Sequence, residues 1–508
     1  MANDWSNRIW NTGYFHRQQL INNNKSTPNE SERHLEWLVR ENGKILMKQV
    51  ITRFAPSPTG TLHIGGVRTA LFNYVYAKQN EGLFLIRIED TDRERSTKEF
   101  EKNILDNLSS IGLNPDEKPI NQSERNDIYL AAAEKIIESG NAYWCDCSQE
   151  TLEQMRNEQT AAGKKPMYDG RSRKLGLKRS NETVLRLATP EDGEIIVNDL
   201  IRGEIAFRNS ELDDLILLRS DGTPTYHLCN VVDDFEQNVT TVIRGEDHIS
   251  NTPRQIHIQN ALGYPELEYA HLPLVLGTDK KRLSKRHAAT NLEEYREVGY
   301  LDSAIINTLA RLGWSKGDNE VFYLEDLIKD FNIKQVQKAG AIFDITKLEW
   351  VNSQHLANLS LEDFKDHLEP FLNEIDIDIN NHSNVNLMID ALRTSENTLS
   401  GIAKSLIPYY KDEISYDEKA ISKFLDGKKF ILEDIKELLT EVDIWDEESI
   451  DVVLKEYQSN NDLSTPAVNQ PIRIALTGST KSPSLGLTLS IFGKDASLSR
   501  ISALINNI

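Results

Sequence analysis

Cysteine is nearly missing from this chain: Cys145, Cys147 and Cys229 are the only three in 508 residues. So few thiols exclude a disulfide framework, and the expectation is a reduced, cytoplasmic protein held together by burial. Long apolar runs are missing too. No stretch approaches the roughly 18 residues of a membrane span, and residues 1–30 lack a signal-peptide core. Positive charge is outnumbered, with 58 Lys and Arg against 79 Asp and Glu and a net charge of -21. The acidic excess favours solubility, so any nucleic-acid partner must be met by local basic patches. There is no internal repeat and no low-complexity tract. What is present is 39% hydrophobic residues over a length that calls for several domains, each with its own core.

Residues 1–46 read differently from the rest. "NNNKSTPNESER" is polar and turn-rich, yet Trp5, Trp10 and Trp37 supply three of the chain's seven tryptophans. A helix is expected near "SERHLEWLVRE", and Met47, just before the strand "KQVITRF", is expected to be the natural start. From Val50 to Phe54 a strand runs into a loop with two prolines. After it, Val67, Ala70, Leu71, Tyr74 and Val75 recur at the spacing of a helix with one buried face. "LFLIRIED" then reads as a parallel strand buried on both faces, completing a βαβ unit. Between Asn141 and about Ile243 short strand-like pieces separated by Gly and Asp turns suggest an insertion into the sheet. From about residue 290 the periodicity is helical, with "TPAVNQP" expected as a late linker.

Two stretches carry chemistry. In "RFAPSPTGTLHIGG" glycines 60, 65 and 66 allow close backbone approach to a ligand. A helix starting near Gly66 would aim free N–H groups and its positive dipole end at an anion beside His63. The pattern is neither a GxGxxG fingerprint nor a Walker A loop, and a tight turn alone would also account for it. In "GTDKKRLSKRHAAT", residues 277–290, six of the eight positions from Lys280 to His287 are cationic or titratable. A solvated basic loop is one reading; a loop that stabilises charge on a triphosphate is the other.

Together "HIGG" and "RLSKR" resemble the HIGH and KMSKS motifs of class I aminoacyl-tRNA synthetases. "RFAPSPTGTLHIGG", "RIEDTDRERS", "PTYHLCNVVDD", "VIRGEDH" and "AIFDITKLEWVN" are similar, in that order, to bacterial glutamyl-tRNA synthetase. The resemblance runs from about Met47 to the C-terminus. It implies an α/β Rossmann-like catalytic domain with an inserted α+β acceptor-binding domain, followed by an all-α C-terminal anticodon-binding region. The expected division is 1–46 extension, 47–140 and 226–285 catalytic halves, 141–225 insertion, 286–365 helical stem-contact domain and 366–508 anticodon-binding region.

The implied reaction joins L-glutamate to tRNA through a glutamyl-adenylate, with ATP as substrate, Mg2+ on the phosphates and no nucleophilic side chain. By resemblance His63, Gly65 and Gly66 meet ATP, and Ser284 and Lys285 approach the phosphates; His63, Ser284 and Lys285 are the expected catalytic groups. Arg53, Ala55, Ser57, Glu89, Tyr226, Asn230 and Arg244 are the expected glutamate pocket. Arginine forks suit the carboxylates, Glu89 with Ser57 suits the ammonium group, and a spacing of four puts Tyr226 and Asn230 on one helix face. Each has a plainer role open to it, such as a strand-end ion pair for an arginine or a helix cap for Glu89.

Two departures stand out. Arg282 and Ala288 occupy positions where the motif has lysine and glycine. "CDC" at 145–147 matches half of a zinc site found in some relatives, but the later positions are Ser172, Arg173 and Lys174, so no zinc is expected. "GRSRKLGLKRS" at 170–180 is the expected acceptor-end patch. The expected partners are tRNA for glutamate, glutamate and ATP, with a monomeric protein and no membrane. A non-discriminating enzyme that also charges glutamine tRNA, and a paralogue that binds tRNA without catalysis, are the alternatives.

Overall fold

The computed structural model describes residues 38–41, 44–47, 49–284, 291–379, 384–411 and 414–508. Met1–Val50 and Ile51–Ile508 are separate units. In the first, β1 (Leu38–Glu41) and β2 (Lys44–Met47) pair antiparallel, Leu38 opposite Met47. This corrects the helix expected over "SERHLEWLVRE" for its last four residues: "LVRE" and "KILM" can alternate across a hairpin, and that pairing supplies the strand's hydrogen bonds.

In the second unit the chain forms β3 (Ile51–Phe54), α1 (Ile64–Gln79), β4 (Leu83–Ile88), α2 (Lys98–Ser110) and β5 (Ile120–Asn121). β3, β4 and β5 are parallel neighbours. Phe84, Ile86 and Ile88 are essentially inaccessible, as the continuous apolar run of β4 requires for a strand covered on both faces. α1 lays Val67, Ala70, Leu71 and Val75 against them. Truncating Leu71 to alanine here would cost about 2–5 kcal/mol.

Next come α3 (Asn126–Glu138), β6 (Ala142–Cys145), α4 (Gln149–Ala161), β7 (Val184–Leu187), β8 (Glu194–Asp199), β9 (Gly203–Arg208) and β10 (Ile216–Leu218). β10, β7 and β6 form their own antiparallel sheet. β8 and β9 do something else. After α5 (Tyr226–Glu236) come β11 (Thr241–Gly245), α6 (Thr252–Leu262) and β12 (Glu268–Leu272), and the second sheet runs β11-β12-β8-β9. β8 is parallel to β12, with Asp199 opposite Tyr269. The segment read as an insertion thus sends one hairpin back into the parallel sheet.

The two sheets meet where the Ile51 carbonyl accepts from the Thr240 N–H at 2.9 Å. The chain runs from β3 to β4 on one side of this seam and from β11 to β12 on the other. It is therefore a topological switch point, and the crevice beyond the carboxyl ends of β3 and β11 is where an open α/β sheet binds ligand.

Helices dominate after residue 291. Between 292 and 358 the helices bring Tyr295 and Leu309, and the connection after Arg311 brings Trp314 and Phe322, into the core of the α/β body, while two further apolar clusters fill the region from Leu301 to Leu504. "TPAVNQP" is not a linker: it opens the helix Thr465–Thr477. Pro466 falls in the first turn, where no N–H is needed, so a proline-containing string starts a helix there.

Candidate functional site

At the switch point a cavity of about 590 Å³ opens between the ends of β3 and β11 and the start of α1. It collects most of the residues singled out from sequence. Arg53, Ala55, Ser57 and Glu89 line one part; Tyr226, Asn230 and Arg244 line another; His63, Gly65 and Gly66 lie at the helix start. Arg282 and Leu283 line it from the basic loop. Ser284, half-buried, closes the described part of that loop, and Lys285 lies outside the described residues.

The helix begins at Ile64, with His63 as its N-cap. The His63 Nδ1 accepts from the Gly65 N–H at 3.0 Å, and the Gly66 and Val67 N–H groups both donate to the His63 carbonyl. The expected row of free N–H groups at Gly65 and Gly66 is therefore spent on His63, because an imidazole at the cap can do what Ser or Asp usually does. Burial, and then the nearby Arg282, hold His63 below the ordinary histidine range. A neutral imidazole that accepts at Nδ1 carries its proton at Nε2, which makes the cap a hydrogen-bond donor for whatever enters. A Cβ on Gly65 would stand 3.3 Å from His63 Nδ1, so the glycine gives the ring its room.

The two expected arginines are both buried but differently engaged. Arg53 Nε donates to Asp234 Oδ1 at 2.9 Å, and its Nη2 reaches Asp234 Oδ2 and Asn230 Oδ1, each at 3.3 Å. Asp234 Oδ1 also accepts from Arg87 Nη1 at 2.6 Å. Burial alone would raise Asp234, but Arg53 and Arg87 hold it below the carboxylate range. Glu89 Oε1 accepts from Asn230 Nδ2 at 2.6 Å and from Arg87 Nη2 at 3.4 Å. Burial pushes Glu89 above the carboxylate range against the pull of Arg87 and Arg53, and a cationic ligand here would favour its ionised form.

Arg244, at the end of β11, has neutral partners. Its Nη1 donates to Gln255 Oε1 at 2.7 Å, Nη2 to Thr252 Oγ1 at 2.9 Å and Nε to His271 Nε2 at 3.2 Å. Among the described residues no carboxylate forms an ion pair with it, and burial lowers its pKa. Beside it the Tyr226 hydroxyl lies 3.3 Å from His248 Nδ1, which also receives the Asn251 amide at 3.1 Å. Burial, and then Arg244, hold His248 at about 4, and burial raises Tyr226 to about 12. Both are neutral at pH 7.

Several members of this wall went unread in the sequence. Asp234 was within reach: Tyr226, Asn230 and Asp234 are i, i+4 and i+8 on one helix face. Arg87, inside the apolar run of β4, was a buried cation in plain view. Thr252 and Gln255 share α6, but His271 on β12 and Asp199 on β8 come from other elements, and no local spacing joins the three.

Elsewhere, Cys145 Sγ lies 3.3 Å from the Tyr168 hydroxyl and Cys147 Sγ 3.8 Å from Ser172 Oγ. Among the described residues no group of three or more His, Cys, Asp or Glu is arranged to hold a metal. In the basic patch Arg171 pairs with Asp169 and Arg173 with Asp214 and Glu191, while Lys174, Lys178 and Arg179 are exposed. No helix among the described residues is long and apolar enough to cross a membrane.

Comparison with known proteins agrees with this geometry. Residues 49–350 match the family model of the class I tRNA synthetase (E and Q) catalytic domain, and residues 363–505 match an anticodon binding domain. A glutamate–tRNA ligase of Thermodesulfovibrio yellowstonii is 43% identical over 467 residues, 90% of this chain and 99% of that protein. One from Syntrophobacter fumaroxidans is 44% identical over 458 residues, 90% and 97% of the two chains. The crystal structure of a glutamate tRNA ligase from Elizabethkingia meningosepticum, in complex with its amino acid, superposes with a TM-score of 0.77 at 33% identity, covering 90% of this chain and 99% of that one. Matched in both of its domains and along nearly the whole of these relatives, the chain belongs to the glutamate–tRNA ligase family of class I tRNA synthetases.

Proposed function

We propose that this protein ligates L-glutamate to tRNA at the switch-point cavity, by way of a glutamyl-adenylate. The observation that carries the reading is Arg244: a buried guanidinium on the cavity wall whose three hydrogen-bond partners are all neutral. A charge kept out of water in this way calls for an anionic ligand, and a substrate carboxylate meets the guanidinium fork with two hydrogen bonds. In this reading Arg53, Asn230 and Tyr226 complete the side-chain pocket with Ala55 as its floor, and Glu89 with Ser57 receives the ammonium group. On the other side of the cavity His63 donates Nε2–H to a phosphate, the two glycines give the backbone room, and Ser284, with Lys285 by sequence, serves the phosphates. The α-carboxylate then attacks the α-phosphorus and pyrophosphate leaves; the protein positions the reactants and neutralises charge. No side chain becomes covalently attached.

Of the described cavity-lining residues only Glu89 and Asp247 are carboxylates, and each has a cation beside it, Arg87 for Glu89 and Arg282 at 3.7 Å for Asp247. That set does not fit a magnesium cage; a magnesium ion would arrive on the triphosphate with its waters. Zinc is likewise not expected, because two thiols facing hydroxyls lack the remaining soft ligands. Stoichiometric zinc in purified protein would overturn that reading.

The reading divides the chain into catalytic halves at 47–140 and 226–285, an acceptor-binding insertion at 141–225, a stem-contact region at 286–365 and an anticodon-binding region at 366–508. It takes the enzyme as a cytoplasmic monomer. Glutamate-dependent ATP–pyrophosphate exchange, run with and without tRNA, is the test; no exchange in either condition would leave a tRNA-binding protein without catalysis. Charging purified transcripts of glutamate and glutamine tRNA then decides discrimination: acylation of the glutamate transcript alone marks a discriminating enzyme, and acylation of both a non-discriminating one.

A further inference from the structure

Beside Arg244 stands a buried chain of two residues, and Thr252 Oγ1 lies 3.1 Å from Nε2 of its first member, His271. His271 Nε2 accepts from Arg244 Nε at 3.2 Å, and its Nδ1 lies 2.6 Å from Asp199 Oδ2. An arginine can only donate, so Nε2 is the acceptor and the proton sits on Nδ1, donated to Asp199. Asp199 is held in turn by the backbone N–H groups of Ile201, Arg202 and His271, at 2.9, 2.8 and 3.0 Å. His271 and the Asp199 side chain are inaccessible to solvent, and the Tyr269 ring lies parallel to that of His271, 6.2 Å away and under the Arg244 guanidinium. Burial, and then the Arg244 charge against the Asp199 bond, leaves His271 below the ordinary histidine range; Asp199 stays ionised because its hydrogen bonds outweigh burial.

The arrangement is economical in charge. A carboxylate directly on Arg244 would fix the guanidinium and cancel its attraction for an incoming carboxylate. A neutral imidazole fixes it equally well and keeps the counter-charge one side chain away. We propose that Asp199 and His271 are positioning residues for substrate recognition, orienting Arg244 toward the glutamate carboxylate without neutralising it. Asp199 closes β8, so the hairpin that returns from the inserted segment supplies part of the amino-acid site. The inference rests on Arg244 being the carboxylate receptor.

Two isosteric variants separate positioning from mere packing. His271→Gln can place a carbonyl oxygen near the old Nε2 position and accept from Arg244, while giving up the bond to Asp199. His271→Asn can keep a donor for Asp199 but leaves Arg244 Nε with no acceptor. The proposal expects KM for glutamate to rise about 10- to 100-fold in His271→Asn, with KM for ATP unchanged, and to return most of the way to the parent value in His271→Gln. Unaltered glutamate KM in a folded His271→Asn, or a larger defect in the Gln variant than in the Asn variant, overturns it. Circular dichroism and the ATP KM show whether each variant is folded. Arg244→Gln serves as the control: if it too leaves glutamate KM unchanged, the carboxylate-receptor reading falls; if it raises KM while His271→Asn does not, only the positioning role falls.

Discussion

The two arginine walls of the cavity use one side chain for opposite ends. Around Arg53 charge answers charge: Asp234 bridges Arg53 and Arg87, and Arg87 also reaches Glu89. Around Arg244 every direct partner is neutral, and the nearest carboxylate in its hydrogen-bond chain, Asp199, stands behind His271. Both arginines are under a tenth exposed, so the difference lies in what compensates them. A buried cation bonded to a carboxylate already has its counter-charge before a ligand arrives. A buried cation with neutral partners is unfinished until a ligand arrives, and its cost is carried by the rest of the fold.

The comparison can be broken most forcefully at its paired side. Asp234→Asn leaves two buried guanidiniums facing an amide and should lower stability by about 3–5 kcal/mol, read as a fall in the urea midpoint. A midpoint unchanged within error would mean that Asp234 is not the keystone of that wall. His63→Asn is a milder cut on the ATP side. Asparagine can still cap α1, so stability should stay within about 0.5 kcal/mol, but the Nε2–H is lost and kcat should fall about 10- to 100-fold. An unchanged kcat would remove His63 from the chemistry.

A buried histidine outside the cavity lining behaves differently. His355 is buried against Asn307, with no carboxylate partner among the described residues. Unlike an arginine it can shed its charge, and burial holds it at about 4. Above pH 6.5 neither folded nor unfolded chain protonates it. As pH falls below 6.5 the unfolded chain takes up a proton that the folded one refuses until about pH 4, so stability drops on acidification. His355 should account for about 1.4 kcal/mol of loss between pH 7.5 and 5.5, and His355→Gln should flatten the urea midpoint over that window by as much.

What the sequence made legible was what local spacing encodes. β3, α1 and β4 follow from a short strand, a helical stripe and a continuous apolar run. The cavity gathers Arg53, His63, Glu89, Tyr226 and Arg244 because each lies at a strand end or a helix start, and Asn230 because it stands one turn after Tyr226 on the same helix, places that sequence can mark. The partners were harder. Asp199 meets His271 across 72 positions and Arg53 meets Asp234 across 181; such pairs form only once strands from distant segments have been laid side by side, and periodicity says nothing about which strands those are. Two local misreadings have local reasons. "LVRE" pairs in a hairpin and so reads as strand, and "TPAVNQP" has the composition of a linker although the first turn of a helix suits its Pro466.

Arg244 keeps its charge for the substrate. Measuring glutamate KM in Arg244→Gln alongside its urea midpoint tests it most directly. KM should rise at least about 100-fold, with a stability change of only about 1–2 kcal/mol, because no carboxylate loses a direct ion pair. A glutamate KM equal to that of the parent protein would contradict it.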